Sequence, residues 1–139
     1  MENNIIDGMI LKMQKEDIDV GKFISECRQV RDGAQVVFVG CVRDDGMDAL
    51  EIEAFVPAAE KDLKDIAAKT IEIYHVNSVN IIHRYGHLAL GDTILVTIVG
   101  ASHRGEGYDA SRYIIERIKE QVPIWKQEFV NGKKGKWVH

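Results

Sequence analysis

Residues 100–108 combine residue types that suit the binding of an anion. An apolar run ends here, His103 and Arg104 follow, and a glycine-flanked turn leads into a predicted helix. The free backbone N–H groups and the dipole of a helix start favour an anion, and the fork of an arginine binds two phosphate oxygens. The alternative is a solvated turn in which Arg104 pairs with Glu106 or Asp109. Because the Lys-Ser/Thr pair of a P-loop is missing, a nucleotide-binding loop is not predicted.

Lys119 lies at the edge of an apolar helix face. It follows Ile115 by four residues and precedes Val122 by three, which places it along the same side of the predicted helix. A lysine beside apolar surface tends towards a lowered pKa, and such lysines serve as acids, bases or nucleophiles. The alternative is snorkelling, in which the stem packs and the amine stays in water.

Two more basic residues stand at structurally defined positions. Lys126 shares one face of a predicted strand with Glu128. A cross-strand ion pair of Glu128 with Lys134 or Lys136 is the alternative explanation without a functional role. Arg43 ends a predicted buried strand just before an acidic turn, and pairing with an aspartate of that turn would explain it. If they converge, the basic groups would line one pocket: Arg43, His103, Arg104, Lys119 and Lys126.

Other chemistries have weaker support. Cys41 is a candidate nucleophile with His103, although a buried, inert thiol is the more common case. His83 and His87 lack cysteine or carboxylate partners at metal-site spacing, so no metal site is predicted. The aromatic interleaving of an RNA-binding surface is absent. We therefore interpret the final lysines as a solvated end or a partner contact: Lys133, Lys134 and Lys136.

The composition and the distribution of charge narrow the class of protein. The 139 residues carry 18 Lys and Arg against 22 Asp and Glu, a net charge of −4, but residues 101–139 carry eight basic and five acidic side chains. An acidic body with a basic final quarter favours a local anion site over a nucleic-acid surface. With no long apolar run and no visible export signal, we expect one cytoplasmic domain, residues 1–139, with reduced thiols and no membrane contact.

The elements that must position these residues follow no regular β-α alternation. Hydrophobic periodicity predicts a short helix over residues 19–30 and long helices over 57–74 and 107–122. Strands are predicted over residues 4–12 (a strand or hairpin), 34–43, 49–56, 78–85 and 93–100, with a final hairpin of 124–130 and 136–139 around Asn131-Gly132. The fold class is therefore α+β, with a mixed, mainly antiparallel sheet.

From about Gln35 onwards, the sequence resembles the catalytic (large) subunit of molybdopterin synthase. The matching motifs are VFVGCVR at 37–43, IHRYG at 82–86 with GD at 91–92, ASHR at 101–104, and Lys119 followed by PIWKQE at 123–128. The resemblance implies an α/β hammerhead-like fold and a sulfur transfer. A small ubiquitin-like carrier would insert its C-terminal Gly-Gly thiocarboxylate into a pocket, and two transfers would convert cyclic pyranopterin monophosphate into the molybdopterin dithiolene.

The resemblance also implies roles for individual residues. Lys119 and Lys126 would be catalytic, and position 41 carries a cysteine where relatives often carry a basic residue. The implied substrate-binding set is Cys41, Val42, Arg43, His103, Arg104, Lys119, Lys126, Gln127 and Glu128. We expect no metal and no cofactor. No nucleophilic cysteine is needed either, because the carrier brings the sulfur.

The resemblance further implies an assembly, a homodimer of large subunits with one carrier at each far end, which makes a heterotetramer. Part of a pocket would then come from the neighbouring chain. A function of another class is also open: a non-catalytic binding or regulatory module that uses His103 and Arg104 for a phosphorylated ligand. A third is a dimeric scaffold whose basic tail docks an acidic partner.

Overall fold

The computed structural model describes residues 6–139. It contains, in chain order, β1 (Leu11–Gln14), α1 (Val20–Cys27), β2 (Ala34–Cys41), β3 (Ala49–Ala54), α2 (Val56–Tyr74), β4 (Ser78–Arg84), β5 (Gly86–Ala89), β6 (Thr93–Ala101), α3 (Arg104–Gln121), β7 (Ile124–Val130) and β8 (Lys133–Val138).

The strands form two four-stranded sheets. The first has the order β1-β4-β6-β2, in which β1 and β4 are parallel and the other pairs antiparallel. The second has the order β5-β3-β7-β8 and is antiparallel throughout. The predicted α+β class, with two long helices and one short helix, is confirmed, and the strands are divided between two sheets.

The main core lies between the first sheet and the long helices. Along β4 and β6, alternate residues face α2 and α3, where Ile81 and Val99 pack with Leu63 and Ile114. The opposite face forms a smaller cluster under α1 around Phe23. Because both faces of this sheet are covered, β4 is buried along its whole length.

Local signals place several element ends where the sequence predicts them. The side chain of Asp19 accepts a hydrogen bond from the backbone N–H of Lys22 at 3.1 Å and so caps α1. Pro57 sits in the first turn of α2, where its missing N–H is not needed. Asn131 and Gly132 both have positive φ, at 53° and 75°, as a two-residue hairpin turn requires.

Other boundaries differ from the prediction. Strand β5 falls in a segment that was predicted as a connection, since only Leu88 among its four residues is buried. Helix α1 ends three residues before the predicted end, and β8 begins at Lys133 rather than at residue 136. The first strand, β1, covers Leu11–Gln14, whereas the prediction was 4–12, of which residues 4 and 5 lie outside the described part.

Helix α3 begins three residues earlier than predicted, so the glycines at 105 and 107 lie inside it. A Cβ atom on Gly107 would stand 2.8 Å from Cγ2 of Val36 and 3.4 Å from Cβ of Ala101. The missing side chain therefore lets the first turn of α3 pack closely on β2 and β6. The stabilisation from this close packing outweighs the loss of helix propensity that two glycines cause.

Candidate active site

A cavity of about 490 Å³ lies where the end of α3 meets the two sheets. We call it the lysine cavity because Lys119 of α3 and Lys126 of β7 both line it. Cys41 at the end of β2 and His83 of β4 complete its polar lining on the first sheet. These four polar residues lie up to 85 positions apart in sequence.

The apolar wall beneath Lys119 comes from its own helix. Ile115, Ile118 and Val122 line the same cavity, which confirms the predicted position of Lys119 at the edge of the apolar face. Lys119 itself is exposed, so its amine remains within reach of a molecule that enters from solvent.

Lys126 differs chemically from an ordinary surface lysine. Partial burial of the amine lowers its pKa, and the positive charge of Lys119 lowers that pKa further. Two ammonium groups in one cavity repel each other and attract an anion. Lys126 also lines a neighbouring groove, so it stands at the junction of the two spaces.

His83 is a buried polar residue of the cavity that sequence reasoning did not place in the site. It is 4% exposed, and its Nδ1 lies 2.8 Å from the backbone oxygen of Arg84. Burial is the main cause that lowers the pKa of His83 to about 4, and the charge of Lys126 adds to it. The available sequence signal was a histidine directly after the apolar pair Ile81-Ile82 in a segment predicted to be a strand.

The three consecutive candidates at the end of β2 have different environments. Cys41 is exposed and lines the cavity. Val42 is 2% exposed, and its backbone N–H and C=O bond to Asp92 and Gly91. Arg43 points into solvent with a side chain 83% exposed, and its Nε lies 2.7 Å from Oδ2 of Asp45. Arg43 therefore stands near the cavity without lining it.

His103 and Arg104 form a second group, which we call the helix-start cluster. His103 is the N-cap residue of α3 and makes no side-chain capping bond, so its extended backbone leaves the first N–H groups of the helix available. Its side chain is 84% exposed, with Nδ1 3.8 Å from Oε2 of Glu106. Arg104 is also exposed. The cluster presents donors and positive charge to solvent, as the sequence predicts.

One chain keeps the helix-start cluster and the lysine cavity apart. Ala34 pairs with Ala101 at one end of the β2–β6 ladder, and Cys41 pairs with Thr93 at the other. Seven strand steps between these ends span about 24 Å. Helix α3 covers a similar distance, because 15 residues separate Arg104 from Lys119 at about 1.5 Å each. The predicted convergence of all five basic residues therefore does not occur within one chain.

Gln127 and Glu128 lie on opposite faces of β7. Gln127 is 8% exposed, and its Nε2 donates to the backbone oxygen of Gly135 at 2.8 Å, so it holds β7 to the irregular part of β8. Its side chain does not line the lysine cavity. Glu128 is exposed and lines the neighbouring groove of about 660 Å³ with four lysines: Lys126, Lys133, Lys134 and Lys136.

Comparison with known proteins identifies this arrangement. The sequence model of the MoaE protein family matches residues 13–121. The chain belongs to the MoaE family. The molybdopterin synthase catalytic subunit of Mesorhizobium japonicum is 32% identical over 133 residues, covering 92% of this chain and 84% of the relative. That of Thermoplasma volcanium is 33% identical over 131 residues, covering 91% and 96%.

Solved MoaE-family structures have the same fold. Molybdopterin synthase from Staphylococcus aureus superposes with a TM-score of 0.87 at 36% identity, covering 93% of this chain and 96% of that one. The molybdopterin cofactor biosynthesis protein E of Burkholderia multivorans gives 0.82 at 31% identity, covering 94% and 87%. Membership of the MoaE family assigns the chain to an enzyme class, the catalytic subunits of molybdopterin synthase, as the resemblance implied.

No helix within residues 6–139 is long and apolar enough to cross a bilayer. Over the same residues, no group of three or more His, Cys, Asp or Glu side chains is placed to hold a metal ion.

Proposed function

We propose that the chain transfers sulfur from the C-terminal thiocarboxylate of a small ubiquitin-like carrier to cyclic pyranopterin monophosphate. The product would be the dithiolene of molybdopterin. The observation that supports this most strongly is the lysine cavity, because Lys119 and Lys126 of the matched family motifs line one space. The reaction would take place there.

The charge of this cavity suits the proposed reactants. A thiocarboxylate is an anion, and two lysines would draw its end into the cavity. To move sulfur, a bond must form between that sulfur and a carbon of the pterin precursor while a C–O bond at the same carbon breaks and the departing oxygen takes up a proton. The acyl C–S bond to the carrier must then break. Water supplies the oxygen that returns the carrier as a carboxylate. Lys119 would stabilise the charge that shifts between sulfur and oxygen during these steps.

Lys126 would act as the proton-transferring partner at the reacting carbons. Partial burial and the neighbouring charge of Lys119 lower its pKa. A lysine with a lowered pKa gives up its proton more readily than an ordinary one. The exposed Cys41 thiol at the rim is not required as a nucleophile, since the carrier brings the sulfur.

The helix-start cluster would bind the phosphate of the precursor from a second copy of the chain. His103 and Arg104 are exposed and offer donors to an anion, but they lie at the far end of the β2–β6 ladder from the lysine cavity. A homodimer that juxtaposes the two regions would complete a site that one chain leaves divided. With one carrier on each chain the assembly would be a heterotetramer.

The carrier is proposed as a second subunit. A Helicobacter pylori chain of the same fold, with a TM-score of 0.76 at 21% identity, is known from a complex of subunits 1 and 2 of molybdopterin-converting factor. That complex is a precedent for a two-subunit assembly on this fold. The β7–β8 groove with its four lysines adjoins the lysine cavity through Lys126 and is the positively charged surface nearest to the carrier's proposed point of entry.

The function is tested by incubating the chain with a thiocarboxylated carrier and the pterin precursor. Product is measured as dithiolene by mass spectrometry. We expect turnover with the wild type, loss of at least about a hundredfold with Lys119→Ala, and most of the activity with Cys41→Ser. Cys41 is a matched control because it lines the same cavity.

Two results would contradict the proposal. If a carrier that is active with another synthase yields no product here, the chain does not catalyse this reaction. If Cys41→Ser abolishes turnover while Lys119→Ala retains it, the cysteine carries the chemistry. Tight calorimetric binding of a phosphorylated ligand, without affinity for a Gly-Gly carrier, would instead favour the phospholigand-binding module.

A further inference from the structure

His83 stands on the floor of the lysine cavity. It pairs in register with Leu95 of β6, which pairs in turn with Gly40 of β2. Register partners across neighbouring strands point their side chains to the same face of the sheet. Gly40 and Leu95 line the cavity together with His83. Because Gly40 carries no side chain, the ring of Phe38, which also lines the cavity, packs in its place: a Cβ at position 40 would stand 3.1 Å from Cε1 of Phe38.

The tautomer of His83 follows from its hydrogen bond. Nδ1 lies 2.8 Å from the backbone oxygen of Arg84, and a carbonyl oxygen only accepts, so Nδ1 carries the proton. In a neutral ring the other nitrogen, Nε2, is then an acceptor. Burial and the charge of Lys126 keep the ring neutral at physiological pH, because they lower the pKa of His83 to about 4. No described residue donates a hydrogen bond to Nε2.

This acceptor complements the other polar side chains of the cavity. Lys119 approaches from α3 and Lys126 from β7, and an ammonium group only donates. The thiol of Cys41 is a weak partner at an exposed position, and His139 is exposed as well. Among the described side chains of this cavity, only His83 combines burial with a neutral acceptor. A buried acceptor without a donor gains most when a ligand supplies one.

We propose that His83 is a substrate-recognition residue whose Nε2 accepts a hydrogen bond from an N–H group of the bound pterin ring. The inference rests on the proposed function, which supplies a heterocycle with such donors. Lys119 and Lys126 would bind the acceptor and anionic atoms of the reactants, and His83 would bind a donor. The cavity would thereby distinguish a pterin from an anion of similar charge that has no N–H group.

Two substitutions separate this role from a structural one. His83→Asn places an amide nitrogen near the position of Nδ1 and keeps the bond to Arg84, but it removes the acceptor at Nε2. His83→Gln extends an amide oxygen towards the position of Nε2 and gives up the bond to Arg84. We expect His83→Asn to raise the KM for the precursor about tenfold, with kcat and the Kd of the carrier almost unchanged. His83→Gln should restore much of the wild-type KM.

The opposite pattern, normal KM in His83→Asn and loss in His83→Gln, would show that only the bond to Arg84 matters. A change confined to kcat and its pH profile would show that His83 acts through Lys126. Either result overturns the proposal.

A measurement on the wild type does not depend on the folding of a variant. The ¹⁵N resonance of His83 Nε2 is followed while precursor is added together with a carrier that ends in an ordinary carboxylate, so that no turnover occurs. We expect the resonance to move as Nε2 accepts a hydrogen bond. Turnover of the wild type with thiocarboxylated carrier is measured in parallel. Absence of product refutes the proposed function, whereas product formation with an unmoved Nε2 resonance refutes the role of His83.

Discussion

Two adjacent buried residues of β4, His83 and Arg84, differ in their state of charge. Arg84 is 8% exposed, yet its guanidinium donates to the backbone oxygens of Lys15 and Thr93 and lies 3.6 Å from Asp17. Its charge is therefore compensated, and it ties β1 and β6 to β4. His83 points to the opposite face and has no carboxylate partner, so it stays neutral. Because side chains alternate between the two faces of a strand, Arg84 serves as a structural cation on one face and His83 as a neutral cavity residue on the other.

The neutral state of His83 predicts a specific dependence of stability on pH. Above pH 6.5 the ring is neutral in both the folded and the unfolded chain, so it does not lower the free energy of unfolding. As the pH falls from 6.5 towards 4, His83 becomes protonated in the unfolded chain but stays neutral in the folded chain. The free energy of unfolding therefore decreases. Between pH 7 and pH 5, titration of His83 alone should lower the free energy of unfolding by about 2 kcal/mol.

Urea unfolding at both pH values measures this effect in the wild type and in His83→Asn. The variant lacks the titrating ring, so its decrease should be smaller by about 2 kcal/mol. His87→Asn is the control, because His87 is an exposed histidine only four residues away. Equal decreases in the wild type and His83→Asn would mean that His83 titrates normally in the folded chain.

At the scale of elements, the start of α3 is set by close packing rather than by helix propensity. Gly105 and Gly107 lie two residues apart in the first turns, but their surroundings are opposite. A Cβ at 107 would approach Cγ2 of Val36 to 2.8 Å, whereas a Cβ at 105 meets nothing within 4 Å. Val36 is β-branched and stiff, so it cannot easily yield.

Alanine substitutions should therefore act in opposite directions. We expect Gly107→Ala to lower the free energy of unfolding by about 1 kcal/mol, because overpacking outweighs the gain in helix propensity. Gly105→Ala should raise it by about 0.5–1 kcal/mol. Denaturant unfolding measures both, and Val36→Ala combined with Gly107→Ala should recover part of the loss. A stabilising Gly107→Ala would show that α3 and β2 are less tightly packed than described.

These elements also show how far the sequence predicts the fold. Periodicity predicts β4, β6 and both long helices because each buries a full face or stripe, as along Ile114 and Ile118. It misses β5, since four residues with only Leu88 buried carry almost no pattern. It also places the start of α3 too late, because Gly105 and Gly107 read as a turn until the packing on Val36 is known.

The candidate site was predicted in its residue types and only in part in its arrangement. Lys119 and Lys126 share a cavity because α3 and β7 are adjacent in the chain and turn back at Pro123. His83 was missed because its cavity partners come from four other elements, β2, β6, α3 and β7, and sequence spacing does not reveal them. Gln127 was predicted to contact substrate, but strand alternation turns it away from Lys126 and towards Gly135.

At the scale of the whole molecule, the anion-binding groups occupy both ends of one long unit. The β2–β6 ladder and α3 run side by side between the helix-start cluster and the lysine cavity. A rigid, packed unit of this length does not bend its two ends together. The basic groups that the sequence places in one pocket can meet only when a second chain brings its opposite end, as a two-fold symmetric homodimer allows.

Mixing two inactive variants tests this arrangement. Lys119→Ala removes the cavity lysine, and Arg104→Ala removes the helix-start arginine. In a mixed dimer with shared sites, one site would carry both substitutions and the other neither. Random exchange would then restore up to about a quarter of the wild-type activity. Gel filtration with light scattering confirms the dimer in each sample.

The control is a mixture of Lys119→Ala with Lys126→Ala. Both lysines line the lysine cavity of the same chain, so every site in a mixed dimer would still lack one of them, and no activity should return. Recovery in this control would mean that the lysines act from different chains. No recovery with Arg104→Ala, despite exchange of subunits shown by tagged chains, would mean that each site is contained in one chain and that the helix-start cluster serves another purpose.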